Sequence, residues 1–185
     1  AIKWSDDHRV HHTTTDAADD PDSIARGFWW AHIVWVLFAA HKADLSRVPD
    51  LKANRLAAFQ HKYYIPLAIL FAAVLPMAIA SLWGDALGGL LVAGFLRLTV
   101  QYHATFSINS IAHILGKQPY SDKDSSRDSW ITALITCGEG YHNFHHSFPA
   151  DYRNGVRAWQ FDPTKWFVWT LSKAGLTKNL RRVPQ

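Results

Sequence analysis

The stretch YYIPLAILFAAVLPMAIASLW, residues 63–83, contains no charged side chain. A helix of about 20 apolar residues is long enough to cross a hydrocarbon core of about 30 Å. Its two prolines are tolerated better in a membrane than in water, because neighbouring helices and local adjustments satisfy the freed backbone groups. The stretch therefore predicts a transmembrane helix.

A second apolar stretch, ALGGLLVAGFLRLTVQYHATFSINSIAH, follows at residues 86–113 after a turn at Gly84 and Asp85. Together the two stretches predict transmembrane spans of about 63–83 and 86–106, joined as a hairpin. The alternative is a pair of core helices in a large soluble protein, because a helix that is apolar on all sides needs deep burial.

Basic residues flank the predicted hairpin at both ends. They are Lys52, Arg55 and Lys62 before it, and Lys117, Lys123 and Arg127 after it. The connecting turn has no lysine or arginine, so the positive-inside rule predicts that both flanks are cytoplasmic. Arg97 lies within the second span, where it is expected to snorkel, to form a structural pair or to line an internal cavity.

Two short windows share the spacing H-x-x-H-H: HRVHH at residues 8–12 and HNFHH at residues 142–146. On a helix, positions i, i+3 and i+4 lie on one face. Each box can therefore hold a metal with one pair of histidines and lend the third imidazole to a neighbouring metal. Neutral imidazole suits iron, zinc, copper and nickel, so this donor type leaves the metal open. The alternative for either box is a structural or surface cluster.

Asn109 and His113, spaced i and i+4, follow the second span on the side where the two boxes are expected. His113 is predicted as a seventh histidine ligand, and Asn109 as a residue that reaches a metal through a water or orients a ligand. Glu139, three residues before His142, is interpreted as an outer partner of a ligand or as a solvated loop carboxylate. The histidines without a surrounding box are expected to be structural: His32, His41, His61 and His103.

The chain has 185 residues, which predicts one domain or part of a larger one. Its net charge of +4 is spread along the sequence without a basic run, so nucleic acid is not an expected partner. The single cysteine, Cys137, excludes an internal disulfide and is expected to be a buried thiol. No strand pattern is present, which favours an all-α fold.

Two further segments predict helices near a membrane surface. The segment at 23–41 is apolar and carries tryptophans that suit the headgroup level. Near the C-terminus, Asp162 and Pro163 form an N-cap and a first-turn proline, and the helix that follows is expected to end at Gly175.

Five stretches, in this order and spacing, resemble the integral-membrane fatty acyl desaturases of the stearoyl-CoA desaturase type. They are DHRVHH (7–12), DDP (19–21), RGF (26–28), NSIAH (109–113) and GEGYHNFHHSFPADYR (138–153). The resemblance covers nearly the whole chain and implies a helical membrane protein whose cytoplasmic helices carry a di-iron site. The ligands that it implies are His8, His11, His12, His113, His142, His145 and His146, with Asn109 acting through a water.

The resemblance also implies an activity, the O₂-dependent introduction of a cis double bond into a saturated acyl chain. The acyl group is expected as a CoA thioester or linked to a lipid, with electrons from a ferredoxin or from a cytochrome and its reductase. Side-chain acids, bases and nucleophiles do not break an unactivated methylene C–H bond, so a redox metal fits this chemistry. The alternatives are a membrane di-iron acyl or alkyl hydroxylase and a non-catalytic metal-binding protein. A zinc site would need only about four ligands.

The chain departs from the family's pattern in two places. An earlier H-x-x-x-x-H box is part of that pattern, and no residue before Ala1 supplies it. The sequence is therefore expected to be the C-terminal portion of a desaturase, lacking two metal ligands. Asp22 stands where many relatives carry a histidine.

Overall fold

A computed structural model describes residues 2–38 and 44–184 of the chain. Within these residues the secondary structure is helical, apart from isolated β-bridges that join Asp128 to Lys117 and to Tyr141. The predicted all-α fold is confirmed. The described residues form two compact units, 2–13 with 44–103 and 14–38 with 104–184.

The α-helices are, in chain order, α1 (Ile2–Thr14), α2 (Trp35–Phe38), α3 (Pro49–Ala53), α4 (Arg55–Lys62), α5 (Tyr64–Ile69), α6 (Leu75–Ala80), α7 (Ala86–Gly88), α8 (Arg97–Asn109), α9 (Trp130–Ile135), α10 (His142–Ser147) and α11 (Pro163–Lys173). The π-helical turns are Trp30–Val34, Leu70–Val74 and Gly89–Leu96. Short 3₁₀ turns are Ile24–Arg26, Leu45–Arg47, Ser81–Trp83 and Ile111–His113.

In the first unit, charged contacts fix α1, which carries the first histidine box. The buried carboxylate of Asp6 accepts hydrogen bonds from the backbone N–H of Asp44 (2.7 Å) and from the Arg47 guanidinium (3.4 Å). The Arg9 guanidinium donates to both carboxylate oxygens of Asp50, at 3.0 and 2.8 Å. Leaving the buried Asp6 carboxylate without partners would cost free energy, so the folded state keeps these hydrogen bonds. These contacts therefore set the position of α1 on the segment before the first span.

The first predicted span is the one helix of the described residues that is long and apolar enough to cross a membrane. It runs over Tyr64–Trp83, with a mean hydropathy of 2.4. Only 6% of its most apolar window is buried, so most of its apolar side chains face outward. This suits a lipid environment better than the soluble core of the alternative interpretation. The second predicted span, 86–106, is helical throughout, and its membrane crossing stays a prediction.

The two halves of the hairpin pack closely because two glycines lie at their contact. A Cβ atom at Gly89 would lie 2.5 Å from the carbonyl oxygen of Pro76 and 2.5 Å from Ala80 Cβ. At Gly94 it would lie 2.6 Å from the carbonyl oxygen of Ala72. Small residues are typical of such close contacts between membrane helices. The groove beside this contact has a volume of about 560 Å³, and Arg97 lines it.

In the second unit, the C-terminal helix begins where the sequence predicts. The Asp162 carboxylate caps α11 by accepting a hydrogen bond from the backbone N–H of Lys165 at 2.9 Å. The helix ends at Lys173, and Gly175 beyond it has the positive φ of 74° that is common after a helix.

Three expectations differ from the structure. Cys137 is exposed rather than buried, because it lies in the turn after α9 with a left-handed φ of 54°. The helix predicted at 23–41 starts later than expected: a 3₁₀ turn, Ile24–Arg26, precedes one helical stretch over 28–38 that is π-helical at Trp30–Val34. The last residues of the prediction, including His41, lie outside the described part of the chain. Asn109 and His113 do not share one α-helix, since α8 ends at Asn109 and His113 lies on the 3₁₀ turn that follows.

Candidate metal centre

The middle residues of the HNFHH box anchor α10. Asn143 and Phe144 are 0% and 2% exposed. The Asn143 side-chain oxygen accepts hydrogen bonds from the backbone N–H groups of Tyr120 (2.9 Å) and Ser121 (3.2 Å). Its amide nitrogen donates to the carbonyl oxygens of Ser121 (2.7 Å) and Ser126 (3.1 Å). These bonds satisfy the buried amide and fix the helix, which leaves the histidines of the box for another role.

Three histidines from two elements converge in the second unit. His142 Nε2 lies 3.1 Å from His113 Nε2 and 3.1 Å from His146 Nε2. Their ligand nitrogens lie within 4.8 Å of one another. With a metal–nitrogen bond of ~2.1 Å, two nitrogens at this spacing can bind one ion. The donor set therefore fits a transition metal.

The second ring nitrogens of two of these histidines contact a polar loop. His113 Nδ1 lies 2.7 Å from Ser125 Oγ. His146 Nδ1 lies 3.5 Å from Thr15 Oγ1 and 3.6 Å from Asp124 Oδ2. Metal-bound histidines commonly donate their other ring nitrogen to such groups, which fixes the ring.

Burial acts to raise the pKa of Asp124, but contacts with His146 and Ser126 outweigh it and hold the pKa well below its usual range. Asp124 is therefore a carboxylate beside the ring of His146. Neither Asp124 nor Ser125 was expected from the sequence, since no spacing distinguishes them from other polar loop residues.

The first box occupies α1, in the other unit. His8 Nε2 and His12 Nε2 lie 3.1 Å apart, as expected for an i, i+4 pair on one helical face. His11 is 3% exposed, and its ring centroid lies 6.2 Å from that of His8 and 5.9 Å from that of His12. The box thus consists of a close pair and a third imidazole, and its division between two metals stays a prediction.

The other predicted site residues are His145, Asn109 and Glu139. His145 is half-buried on α10, with its ring centroid 5.7 Å from that of His142. Asn109 is the last residue of α8. Burial raises the pKa of Glu139, against a lowering hydrogen bond with Asn154, so this carboxyl belongs to the loop around Asn154. Its assignment as an outer partner of a histidine stays a prediction.

Three of the histidines without a box lie among the described residues. His32 is buried, with Nδ1 2.9 Å from Ser110 Oγ and its ring stacked on Phe28 at 5.4 Å between centroids. Such contacts agree with the structural role that was expected of it. His61 and His103 are exposed.

The sequence has clear relatives. The profile of the fatty acid desaturase family matches residues 2–177. The chain is 45% identical over 184 residues to a probable acyl-CoA desaturase of Schizosaccharomyces pombe, covering 98% of this chain and 38% of that protein. It is 44% identical over 185 residues to acyl-CoA desaturase 1 of Saccharomyces cerevisiae, covering 98% of this chain and 36% of that protein.

A mammalian relative is also a desaturase. The chain is 36% identical over 188 residues to stearoyl-CoA desaturase of Sus scrofa, covering 98% of this chain and 52% of that protein. The chain thus spans between about a third and about a half of the length of these relatives. The family assignment rests on nearly all of the chain.

Proposed function

The chain belongs to the fatty acid desaturase family, and from this membership we propose that it supplies the membrane hairpin and two of the histidine boxes of an O₂-dependent acyl desaturase. The reaction introduces a cis double bond into a saturated acyl chain. A CoA thioester is the proposed form of the substrate, since the relatives are named acyl-CoA and stearoyl-CoA desaturases. The single observation that carries the proposal is the convergence of His113, His142 and His146.

Seven histidines are proposed to hold two iron ions, which supply the oxidising power for the C–H bonds of the acyl chain. Three of them are supported by the convergence of their nitrogens, and the other four by the family pattern of the boxes. They are His113, His142 and His146, then His8, His11, His12 and His145. Asn109 is proposed to act through a water, and Glu139 as a more distant partner. The task of these residues is to bind the metals and fix their positions.

The electron balance of the reaction requires a further partner. Removing two hydrogens from the acyl chain provides two of the four electrons that reduce O₂ to two waters. The other two come from a separate donor, which we propose to be a ferredoxin or a cytochrome with its reductase.

The proposed location is a multi-pass membrane protein with its metal centre on the cytoplasmic face. It is supported by the exposed apolar helix Tyr64–Trp83 and by the basic flanks of the hairpin. The hydroxylase and the non-catalytic zinc protein gain no support, since the relatives compared above are named desaturases.

The test is the fatty-acid profile of a desaturase-deficient yeast that expresses, in its membranes, the full-length protein containing this sequence. Gas chromatography with mass spectrometry is expected to detect a new cis-monounsaturated acid, and fragmentation would locate its double bond. A hydroxy acid would instead indicate the hydroxylase. No new acid, with protein in the membrane and an electron donor present, would contradict the proposal.

A further inference from the structure

A chain of three side chains leads away from the converging nitrogens. The Asp16 carboxylate accepts two hydrogen bonds from Ser125, one from its backbone N–H (2.7 Å) and one from its hydroxyl (2.8 Å). Ser125 Oγ in turn lies 2.7 Å from His113 Nδ1. All three residues belong to one compact unit, although 109 positions separate Asp16 from Ser125 along the chain.

The hydrogen-bonding capacity of these groups fixes the proton positions. An ionised carboxylate only accepts, and a serine hydroxyl has one hydrogen to donate. Since Ser125 donates that hydrogen to Asp16, its oxygen must accept from His113, which therefore carries its proton on Nδ1. A neutral imidazole protonated on Nδ1 presents a lone pair at Nε2. That is the nitrogen that lies 3.1 Å from His142 Nε2.

We propose that Asp16 and Ser125 are positioning residues that hold the ring and the tautomer of His113 for metal binding. The inference rests on the proposed function only in taking His113 as a metal ligand. Neither residue touches the metal or the substrate. Ser125 orients His113 directly, and Asp16 acts through Ser125 by holding both its backbone and its hydroxyl.

The backbone around Asp16 supports this role. Asp16 has a left-handed φ of 65°, a conformation in which aspartate and asparagine are favoured over most other residues. Its own N–H donates to the Asp20 carboxylate at 2.9 Å, which holds the turn after α1. The backbone conformation of this turn therefore fixes the Asp16 carboxylate beside Ser125.

The loop that carries Ser125 is itself held in place. Asp124 Oδ1 accepts a hydrogen bond from the backbone N–H of Ser126 (2.9 Å) and a short one from its hydroxyl. The Asn143 side chain of the HNFHH box binds the carbonyl oxygen of Ser126. Two consecutive residues, Asp124 and Ser125, thus lie against the rings of His146 and His113 on a loop that α10 anchors.

The experiment measures iron(II) affinity of the purified membrane protein under argon, by competition with a chelator of known affinity. Ser125→Ala is expected to weaken iron binding by 10- to 100-fold, the usual effect of losing an outer partner of a ligand. Asp16→Asn keeps the side-chain shape and suits the left-handed backbone. It is expected to weaken binding as well, because the two Ser125 bonds go to different carboxylate oxygens and an amide replaces one of those oxygens by an NH₂ donor.

Two single variants and one double variant separate positioning from a general structural effect. Ser125→Thr keeps the hydroxyl and is expected to retain wild-type affinity. Ser172→Ala, which removes from α11 a half-buried serine whose hydroxyl donates to the Trp169 carbonyl oxygen, serves as the matched control and is expected to change nothing. In a His113→Ala background, Ser125→Ala is expected to have no further effect on affinity.

Wild-type affinity in Ser125→Ala would overturn the inference, as would an equal loss in the presence and absence of the His113 ring. The result is independent of turnover, because affinity is measured on protein that is not reacting. The two proposals can fail separately. If Ser125→Ala bound iron more weakly but the wild-type protein produced no unsaturated acid, the positioning role would be supported and the desaturase proposal contradicted.

Discussion

His142 is the residue on which the candidate centre depends most, since its Nε2 is the nitrogen next to both His113 and His146. We expect His142→Ala to reduce formation of the unsaturated product by more than the ~100-fold typical of outer partners, because a direct ligand is lost. Product per amount of membrane-inserted protein is the measurement. The matched control is His61→Ala, an exposed histidine, which should retain activity. Wild-type product from the His142 variant would remove this residue from the centre.

Asn143 stabilises the box rather than binding a metal. Removing its amide leaves buried donors and acceptors without partners, each of which costs about 1–3 kcal/mol. We expect Asn143→Ala to lower the free energy of unfolding by about 2–5 kcal/mol, a range typical of a broken buried network. Asn143→Asp should be at least as harmful, since its carboxylate would face the carbonyl oxygens of Ser121 and Ser126. Melting of the detergent-solubilised protein measures both, and two unchanged midpoints would be inconsistent with this role.

Asp128 gives the region around the box a pH dependence. Burial raises the pKa of Asp128 from 3.8 to about 6, although its carboxylate accepts a hydrogen bond from the backbone N–H of Phe144. Between these pH values the folded protein holds a proton that the unfolded chain releases. This carboxyl therefore favours the folded state at low pH, and that contribution is lost as the pH rises through about 6.

The variant Asp128→Asn keeps an acceptor for Phe144 and removes the titration. Its melting temperature relative to wild type should rise between about pH 4 and pH 6, then stay constant above that range. Comparing the two proteins at each pH cancels the titration of all other groups. A difference that does not change with pH would contradict the raised pKa.

Individual residues also show which parts of the candidate site can be predicted from the sequence. The six histidines of the two boxes were predicted as ligands because a helix puts i, i+3 and i+4 on one face, which is a local rule. His113 was predicted from its position after the second span. The partners Asp16 and Ser125 meet across 109 positions and look like ordinary turn residues, so no local pattern identifies them. Glu139 was considered because of its closeness in sequence to His142, whereas its hydrogen bond goes to Asn154.

At the scale of elements, hydropathy predicted the helices of the hairpin but not their details. Ser110 lies between the end of α8 at Asn109 and the 3₁₀ turn that carries His113, and its hydroxyl donates a hydrogen bond to the Phe106 carbonyl oxygen. The same Ser110 hydroxyl lies 2.9 Å from His32 Nδ1. A tertiary contact of this kind leaves no signal in the periodicity of one segment.

The close approach of the hairpin helices gives a prediction for an element. Gly94→Leu would place a side chain against the backbone carbonyl of Ala72, which cannot move away without separating the helices. Overpacking of this kind costs about 1–3 kcal/mol. We expect a lower melting temperature and a smaller fraction of monodisperse protein after detergent extraction.

The control for the hairpin is Val100→Leu, which adds bulk at a residue that is 62% exposed. This variant should behave as wild type. If Gly94→Leu melted at the same temperature as Val100→Leu, the contact between the helices would not depend on a small residue.

At the scale of the whole molecule, the sequence predicts a topology that neither compact unit expresses alone. The first box precedes the hairpin and HNFHH follows it, so an even number of crossings between them puts both on one side of the membrane. The basic flanks predict that this side is cytoplasmic. The predicted topology therefore puts the two boxes on the same face of the membrane, as the proposed function requires.

The exposed Cys137 allows this topology to be measured, because it is the single cysteine of the chain. In sealed microsomes, whose cytoplasmic face is outward, a membrane-impermeant maleimide is expected to label Cys137 without permeabilisation, and the lumenal side becomes accessible only after the vesicles are opened. The opposite pattern is expected of Asp85→Cys in a Cys137→Ala background, since Asp85 is an exposed residue of the hairpin turn. Labelling of both positions from the same side would mean that the hairpin does not cross the membrane twice. The two histidine boxes could then not meet by the route that the charges predict.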